Sequence, residues 1–207
     1  MTSTPPIIHV VDDDASFRTA VTRLLRAAKY QVRGYASASE FVDSDPWAAP
    51  GCIILDLRMP GASGFELQQS LETMDEPLPI VFLTGQGDIT ASVRAMKAGA
   101  VDFLTKPVQR EALLRAVQSA LERDATERHS RAIVRELRRR YTTLTARERE
   151  VLVHVVSGKL NKQTAFALGT SERTIKAHRA SIVGKLGVQS VAELVRFAQD
   201  LGIQAIR

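Results

Sequence analysis

The stretch that most constrains this chain is Gly51-Cys52-Ile53-Ile54-Leu55-Asp56-Leu57-Arg58-Met59-Pro60-Gly61, an apolar run closed by one carboxylate and broken at a Pro-Gly pair. Four apolar residues before an acid predict a strand buried on both faces of a parallel sheet, with the acid at its carboxyl end. Ligand chemistry in such sheets gathers along that edge. A lone strand-end Asp is best explained as a turn cap, so the meaning of Asp56 depends on what the other strand ends carry.

The first half repeats the same arrangement. Ile7 to Val11 is a short apolar run ending on Asp12-Asp13-Asp14, and a helix follows with Phe17, Val21, Leu24, Leu25 and Ala28 on one face and Asp14 as its cap. Gln31 to Ala36 reads as a second strand, and Ser37 with Glu40 is a capping-box pattern for a short helix that Pro46 to Pro50 ends. After the central strand come a helix over Gly64 to Met74, a strand over Pro79 to Thr84 closing on Gly85, and a helix over Asp88 to Lys97 ending at Ala98-Gly99. A fifth strand, Val101 to Thr105, leads into Lys106-Pro107, and the last helix of this half begins near Gln109. Five strands alternating with helices predict a doubly wound α/β fold with a five-stranded parallel sheet, whose order in the flavodoxin-like form is 2-1-3-4-5.

From Glu111 to Tyr141 neither Pro nor Gly interrupts a helical pattern. It is either a continuous helix of about 45 Å or a helix broken by a solvated turn near Asp124 to Ser130. The remainder is strand-free. Thr145-Ala146-Arg147-Glu148 is a capping box opening a helix with Val151, Leu152 and Val155 inside and Ser157-Gly158 at its end. Lys162 to Leu168, the turn Gly169-Thr170-Ser171, and Arg173 to Leu186 form a helix-turn-helix. Gly184 costs about 1 kcal/mol against Ala in a helix, which sets where the third helix would fray. Gly187 ends that helix, and Val191 to Leu201 gives a fourth. The chain therefore divides into an α/β domain over 1–122, a helical linker over 123–142 and a small all-α helix-turn-helix domain over 143–207.

Charge follows this division. Residues 1–123 hold 12 Lys+Arg against 15 Asp+Glu, whereas residues 124–207 hold 16 against 8, so the parts carry −3 and +8. A compact basic helical domain is expected near phosphate backbones. No stretch approaches the roughly 18 to 20 apolar residues that span a bilayer, and the polar start lacks a signal pattern, so a cytoplasmic protein is expected. The single cysteine, Cys52, excludes an internal disulfide and a Cys-rich metal site, and reads as a small core residue.

In the predicted strand order Asp12, Asp13 and Asp56 end neighbouring strands and should converge. Like charges that close repel unless a cation intervenes, so the three argue for a hard divalent ion, Mg²⁺ best (or Mn²⁺). Thr84 and Lys106 arrive from two further strand ends. A carboxylate nucleophile, a divalent cation, a hydroxyl donor and a fixed ammonium are what a phosphoryl group needs while it transfers to an acid side chain.

Over residues 7 to about 122 these features resemble the receiver domains of two-component response regulators. The resemblance implies that Asp56 accepts a phosphoryl group from a sensor histidine kinase, and that Asp13, Asp56 and the backbone carbonyl of Arg58 bind Mg²⁺ with Asp12 acting through water. It further implies that Thr84 and Lys106 hold the phosphoryl oxygens, that Phe103 is an aromatic switch, and that Lys106-Pro107 is a cis peptide. Asp14 reads as a helix cap. Leu144 to Ile203 resembles the LuxR-like DNA-binding domain of FixJ/NarL-type regulators, most tellingly at Ser171-Glu172-Arg173-Thr174-Ile175-Lys176-Ala177-His178-Arg179. By that resemblance Lys176, Ala177 and Ala180 read bases, while Asn161, Lys162, Thr174, Arg179 and Lys185 are placed for phosphates. His178 reads as packed, since no second metal ligand stands at suitable spacing.

The expected protein is a phosphoacceptor and transcription regulator, not a turnover enzyme, that assists its own phosphorylation and dephosphorylation. It acts on promoter DNA by altered dimerisation or domain exposure, as a homodimer when phosphorylated, with RNA polymerase a further partner. Two competing readings are a phosphorylation-independent DNA-binding regulator with a vestigial pocket, and an aspartate-nucleophile phosphatase. The latter expects a second acid two residues past the nucleophile, where this chain has Arg58.

Overall fold

The structure is a computed structural model that describes residues 4–61, 63–74, 76–85 and 89–203. The chain forms two compact units, Met1–Arg128 and His129–Arg207. The first contains β1 (Ile7–Val11), α1 (Ala15–Ala27), β2 (Gln31–Tyr35), α2 (Ala38–Asp43), β3 (Gly51–Asp56), α3 (Gly64–Glu72), β4 (Ile80–Thr84), α4 (Ile89–Lys97), β5 (Asp102–Thr105) and the start of α5 (Arg110–Thr142). The expected start of α4 at Asp88 lies outside the described residues.

All strand pairs are parallel, and the order is β2-β1-β3-β4-β5, the expected flavodoxin-like order. Strand alternation assigns the two cores. Ile53 and Leu55 of β3 enter the cluster with Phe41, Leu67 and Phe82, whereas Cys52 and Ile54 enter the one with Val21, Leu25 and Leu113 on the opposite face. Cys52 is fully buried, which pushes its thiol up to about 12 and leaves it a packing residue.

Helix starts follow local chemistry. Asp14 caps α1 by accepting from Ser16 and Phe17 amides. Ser37 caps α2 through the Glu40 amide, but the Glu40 carboxylate reaches back to the Ala36 amide at 2.6 Å, one residue earlier than a capping box requires. Gly64, at the start of α3, permits close approach: an added Cβ would lie 2.6 Å from the Asp56 carbonyl oxygen.

Helix α5 is continuous from Arg110 to Thr142, so the turn near Asp124 to Ser130 does not form. Residues 123–142, the expected helical linker, are helical throughout, and contacts hold each end of that segment. Asp124, buried, accepts from the Gly51 amide at 2.9 Å and from the Arg128 guanidinium at 3.0 Å. Arg128 also pairs with Glu76 at 2.8 Å and donates to the Ala49 carbonyl at 2.9 Å. Gly51 tolerates no side chain, since a Cβ there would meet the Ile7 carbonyl oxygen at 2.0 Å.

In the second unit, Leu137 and Tyr141 of α5 pack on a core formed by α6 (Ala146–Val156), α7 (Asn161–Ala167), α8 (Glu172–Leu186) and α9 (Val191–Asp200). Thr145 and Glu148 close a complete capping box on α6. Glu148 then accepts from Ser181 at 2.6 Å and from Lys185 at 2.7 Å, pinning α6 to α8. Helix α8 runs through Gly184 without fraying and ends at Gly187 in the left-handed region, with φ 65°. The cost of Gly184 is outweighed by Ile182 and Leu186, both fully buried on either side of it. Among the described residues no helix is long and apolar enough to cross a membrane.

Two measurements check these anchors. Asp124→Ala strips the Gly51 amide and Arg128 of their buried partner, and should cost about 2–3 kcal/mol in denaturant unfolding followed by Trp47 fluorescence. In the second unit, Lys185 and then Ser181 hold the Glu148 carboxyl from 4.5 down to about 2. A pKa lowered by folding stabilises above the unfolded value, so this contribution is complete above about pH 4.5 and is lost as pH falls toward about 2. Calorimetry of the full chain against pH should therefore show a shallower acid slope for Glu148→Gln than for the native chain; identical slopes would contradict the pin.

Candidate functional site

The carboxyl edge of the sheet gathers the acids. Asp12 follows β1, and Asp56 ends β3; both are buried, while the neighbouring Asp13 is exposed. Oxygens of the three carboxylates lie within 4.8 Å of one another. β1 pairs with β3 in a register that sets Val11 beside Leu55, so the residues that follow these two necessarily share the edge.

Lys106, the first residue past β5, is the counterion built into the pocket. Its ammonium lies 2.7 Å from Asp12 Oδ2 and 2.7 Å from Asp56 Oδ2. The remaining carboxylate oxygens take backbone donors, the Asp14 amide on Asp12 at 3.0 Å and the Arg58 amide on Asp56 at 3.2 Å. Burial raises the Asp12 pKa against the pull of Lys106, with the nearby Asp56 charge adding to the rise. Burial works to lower the Lys106 pKa, but its bonds to Asp12 and Asp56 outweigh that and hold it above the usual value. With all three acids ionised, one ammonium leaves two negative charges uncompensated. An all-oxygen donor set of that charge suits a hard divalent cation.

Thr84, buried at the end of β4, stands on the same edge, and its carbonyl accepts from the Lys106 amide at 2.7 Å. Lys106-Pro107 is cis. Phe103 of β5 is partly buried against the α3–α4 face, with its ring centroid 6.2 Å from that of Phe82. Asp14 serves as a helix cap, as its position beside α1 predicts. Two participants were not singled out as site residues. The Phe17 ring lies under the Lys106 ammonium at 4.3 Å, and the Arg18 guanidinium donates to the Asp12 carbonyl. Phe17 reads in the sequence as one member of an apolar helical face; only its place in the first turn after Asp14 marks it.

On α8 the exposed face carries Lys176, Ala177 and Ala180, while Ile175, Ile182 and Leu186 are buried. Ser171 caps the helix, and its hydroxyl shares a 2.9 Å hydrogen bond with that of Thr174. Arg179 donates to the Asn161 side chain at 3.1 Å, joining α8 to the first turn of α7, where Lys162 is exposed. His178 is half-buried. The Lys185 ammonium is engaged by Glu148, a structural use that the spacing of charges along one helix could not reveal.

The known proteins agree with this geometry. The family profile for the response regulator receiver domain matches residues 8–118, and that for bacterial regulatory proteins of the luxR family matches residues 142–198. Nodulation protein W of Bradyrhizobium diazoefficiens is 42% identical over 203 residues, 98% of this chain and 89% of that protein. The transcriptional regulatory protein FixJ of the same organism is 37% identical over 95% of this chain and 96% of its own. Among solved structures, the response regulator StyR superimposes with a TM-score of 0.82 at 44% identity, covering 94% of this chain and 98% of that one. Full-length FixJ from B. japonicum gives 0.58 at 37% identity, covering 98% of this chain and 100% of its own. The chain belongs to the two-component response regulators of the FixJ/NarL type, transcription regulators that join a receiver domain to a LuxR-type DNA-binding domain.

Proposed function

We propose that Asp56 accepts a phosphoryl group from a phosphohistidine of a sensor kinase and that the modified receiver alters dimerisation and promoter binding. The supporting observation is the convergence of Asp12, Asp13 and Asp56 within 4.8 Å on an edge that also holds Lys106 and Thr84. Receiver domains generally bind Mg²⁺ at such a pocket, and the uncompensated oxygen set fits it. Asp13, Asp56 and the Arg58 carbonyl would hold the ion directly, and Asp12 through water; bound there, Mg²⁺ (or Mn²⁺) neutralises charge on the phosphoryl oxygens.

The remaining chemistry belongs to side chains. An Asp56 oxygen forms the P–O bond as the P–N bond to the donor imidazole breaks, the bonding pair returning to the ring nitrogen. Lys106, already within 2.7 Å of Asp56, accompanies the incoming charge, and the Thr84 hydroxyl donates to a phosphoryl oxygen. The same groups assist hydrolysis of the acyl phosphate. Modification adds about −1.5 to −2 charges, which biases a two-state receiver only if Thr84 and Lys106 bind the two states differently. Phe103, packed behind β4, would turn inward as Thr84 moves.

For the dimer face we propose residues 88–121. Ile89, Val93 and Met96, at 81, 47 and 46% exposure, stand at i, i+4 and i+7 on α4 as an unpartnered apolar stripe. On DNA, Lys176, Ala177 and Ala180 would face base edges, and Asn161, Lys162, Thr174, Arg179 and Lys185 the phosphates. Its promoter target puts the work of the protein in the cytoplasm.

Removing Lys106 withdraws a cation that competes for Asp12 and Asp56. Lys106→Ala should bind Mg²⁺ severalfold more tightly by titration calorimetry, yet take up phosphoryl groups at least about tenfold more slowly; weaker Mg²⁺ binding would refute the competition. Light scattering with a small-molecule phosphoryl donor should show the native chain doubling in mass and gaining DNA affinity, with Asp56→Asn inert to the donor. No change in either property of the native chain would sink the proposal.

A further inference from the structure

Between Ala15 and Ser39 the chain carries five basic residues and no acid, while the rest of residues 1–123 holds 7 Lys+Arg against 15 Asp+Glu. Three of the five, Arg18, Arg23 and Arg26, share one side of α1, next to the stripe that buries Val21 and Leu25. With Thr19, Thr22 and Gly34 they line a shallow depression of about 430 Å³ beside β2, an edge strand of the sheet. A concentration of one charge in a domain of the other sign calls for a physical reason.

The arginines are positioned without being neutralised. The Arg18 guanidinium donates to the Asp12 carbonyl, and that of Arg26 to the Val32 carbonyl at 3.0 Å, so each is held by an uncharged acceptor and keeps N–H groups for another. Arg23 and the half-buried Thr22 hydroxyl have no hydrogen-bond or ion-pair partner among the described residues, and no carboxylate among them lines the depression. Its floor is Gly34. A glycine weakens a strand interior, yet here neither backbone nor space demands one. Its φ lies outside the left-handed region, and an added Cβ would meet Arg18 Cγ at 3.4 Å, an ordinary contact. What the glycine does is keep the floor open, and such local violations concentrate at functional positions.

We propose that this depression binds a small polyphosphate anion, two or more linked phosphoryl groups whose oxygens take the guanidinium groups of Arg18, Arg23 and Arg26 and the Thr22 hydroxyl. Guanidinium forks pair bidentately with phosphate, and the depression falls within the roughly 300–1,000 Å³ of small-molecule sites. Charge and lining exclude the larger candidates. A protein segment would find no aromatic or large apolar side chain to anchor it. Duplex DNA laid across the depression would run onto the rest of an acidic receiver. The same lack of a stacking surface leaves a nucleotide base without a partner, so recognition falls on the phosphates. The site shares no side chain with the acid pocket and meets it only at the Asp12 carbonyl that Arg18 holds.

Titration calorimetry of the full chain with sodium tripolyphosphate, without Mg²⁺ or phosphoryl donor, tests the proposal. Orthophosphate should bind at least about tenfold more weakly, because it spans fewer guanidinium groups. Arg23→Ala removes an exposed, unpartnered guanidinium, and Gly34→Glu sets a carboxylate on the floor; each should lower tripolyphosphate affinity at least about tenfold. Neither should lower the melting temperature, since Arg23 packs on nothing and Gly34→Glu removes a strand glycine. Lys176→Ala, in the basic helical unit, should leave the affinity within about twofold. Unchanged affinity in Gly34→Glu and Arg23→Ala overturns the proposal, and so does a tenfold loss in Lys176→Ala, which would place the ion on the other unit. Citrate binding as tightly as tripolyphosphate would make this a carboxylate site, and weaker binding of Gly34→Glu to DNA fragments selected by the native chain would make it a DNA contact; either overturns it. ATP as tight as tripolyphosphate supports recognition of the phosphates alone, and ATP binding more tightly still names a nucleotide as their source. Asp56 takes no part in these measurements, so this proposal and the phosphoacceptor reading stand or fall separately.

Discussion

The structure depends on bringing like charges together and keeping them there. Asp12, Asp13 and Asp56 would repel one another out of a crevice if the sheet did not hold their strands in register and if Lys106 did not reach two of them at 2.7 Å. Supporting contacts surround this lysine: the Phe17 ring below its ammonium, backbone amides on the other carboxylate oxygens, and the Thr84 carbonyl on its own amide. The pocket remains short of positive charge even so. That residual deficit, held by a rigid apolar sheet, suits the divalent ion that receiver domains generally bind at such a pocket.

Buried charge also organises the parts of the molecule away from this pocket. At the amino end of β3, Asp124 and Arg128 fasten the receiver part of α5 to Gly51, at the opposite end of the strand from Asp56. In the second unit, Glu148 finishes the cap of α6 and at the same time holds Ser181 and Lys185 of α8. In each case a carboxylate near the end of one element satisfies donors from another, so losing it would leave several polar groups unpaired at once. Unpartnered apolar residues mark the opposite situation. Ile89, Val93 and Met96 on α4, and Leu160 and Phe166 on α7, are exposed where the fold gains nothing from them.

Much of this was legible in the residues. The alternation of apolar runs and helical faces indicates the doubly wound parallel sheet, because a strand buried on both faces needs helices on each side, while the order came from likeness to the flavodoxin-like fold. Asp12, Asp13, Asp56, Thr84 and Lys106 were recognisable because each stands at a strand end, and a doubly wound fold brings strand ends to one edge. Helix starts at Asp14, Ser37 and Thr145 obey local capping chemistry. Less visible were Phe17 under Lys106, Arg18 on the Asp12 carbonyl and Lys185 on Glu148. Each is a contact between elements whose partner no periodicity within one element can name.

The opening run from Gly51 to Gly61 illustrates the division. The sequence by itself determined that this run is a buried strand delivering one carboxylate to a sheet edge, since hydrophobic pattern and chain direction suffice for that. Only the tertiary structure decided that its first residue must be glycine, with Ile7 crowding it and Asp124 bonded to its amide from 73 positions away. Only the tertiary structure likewise decided that Lys106, from the far strand, is the cation Asp56 meets. Local pattern encodes which surfaces must be buried. Which charges then face one another is set by packing, where distance through space replaces distance along the chain.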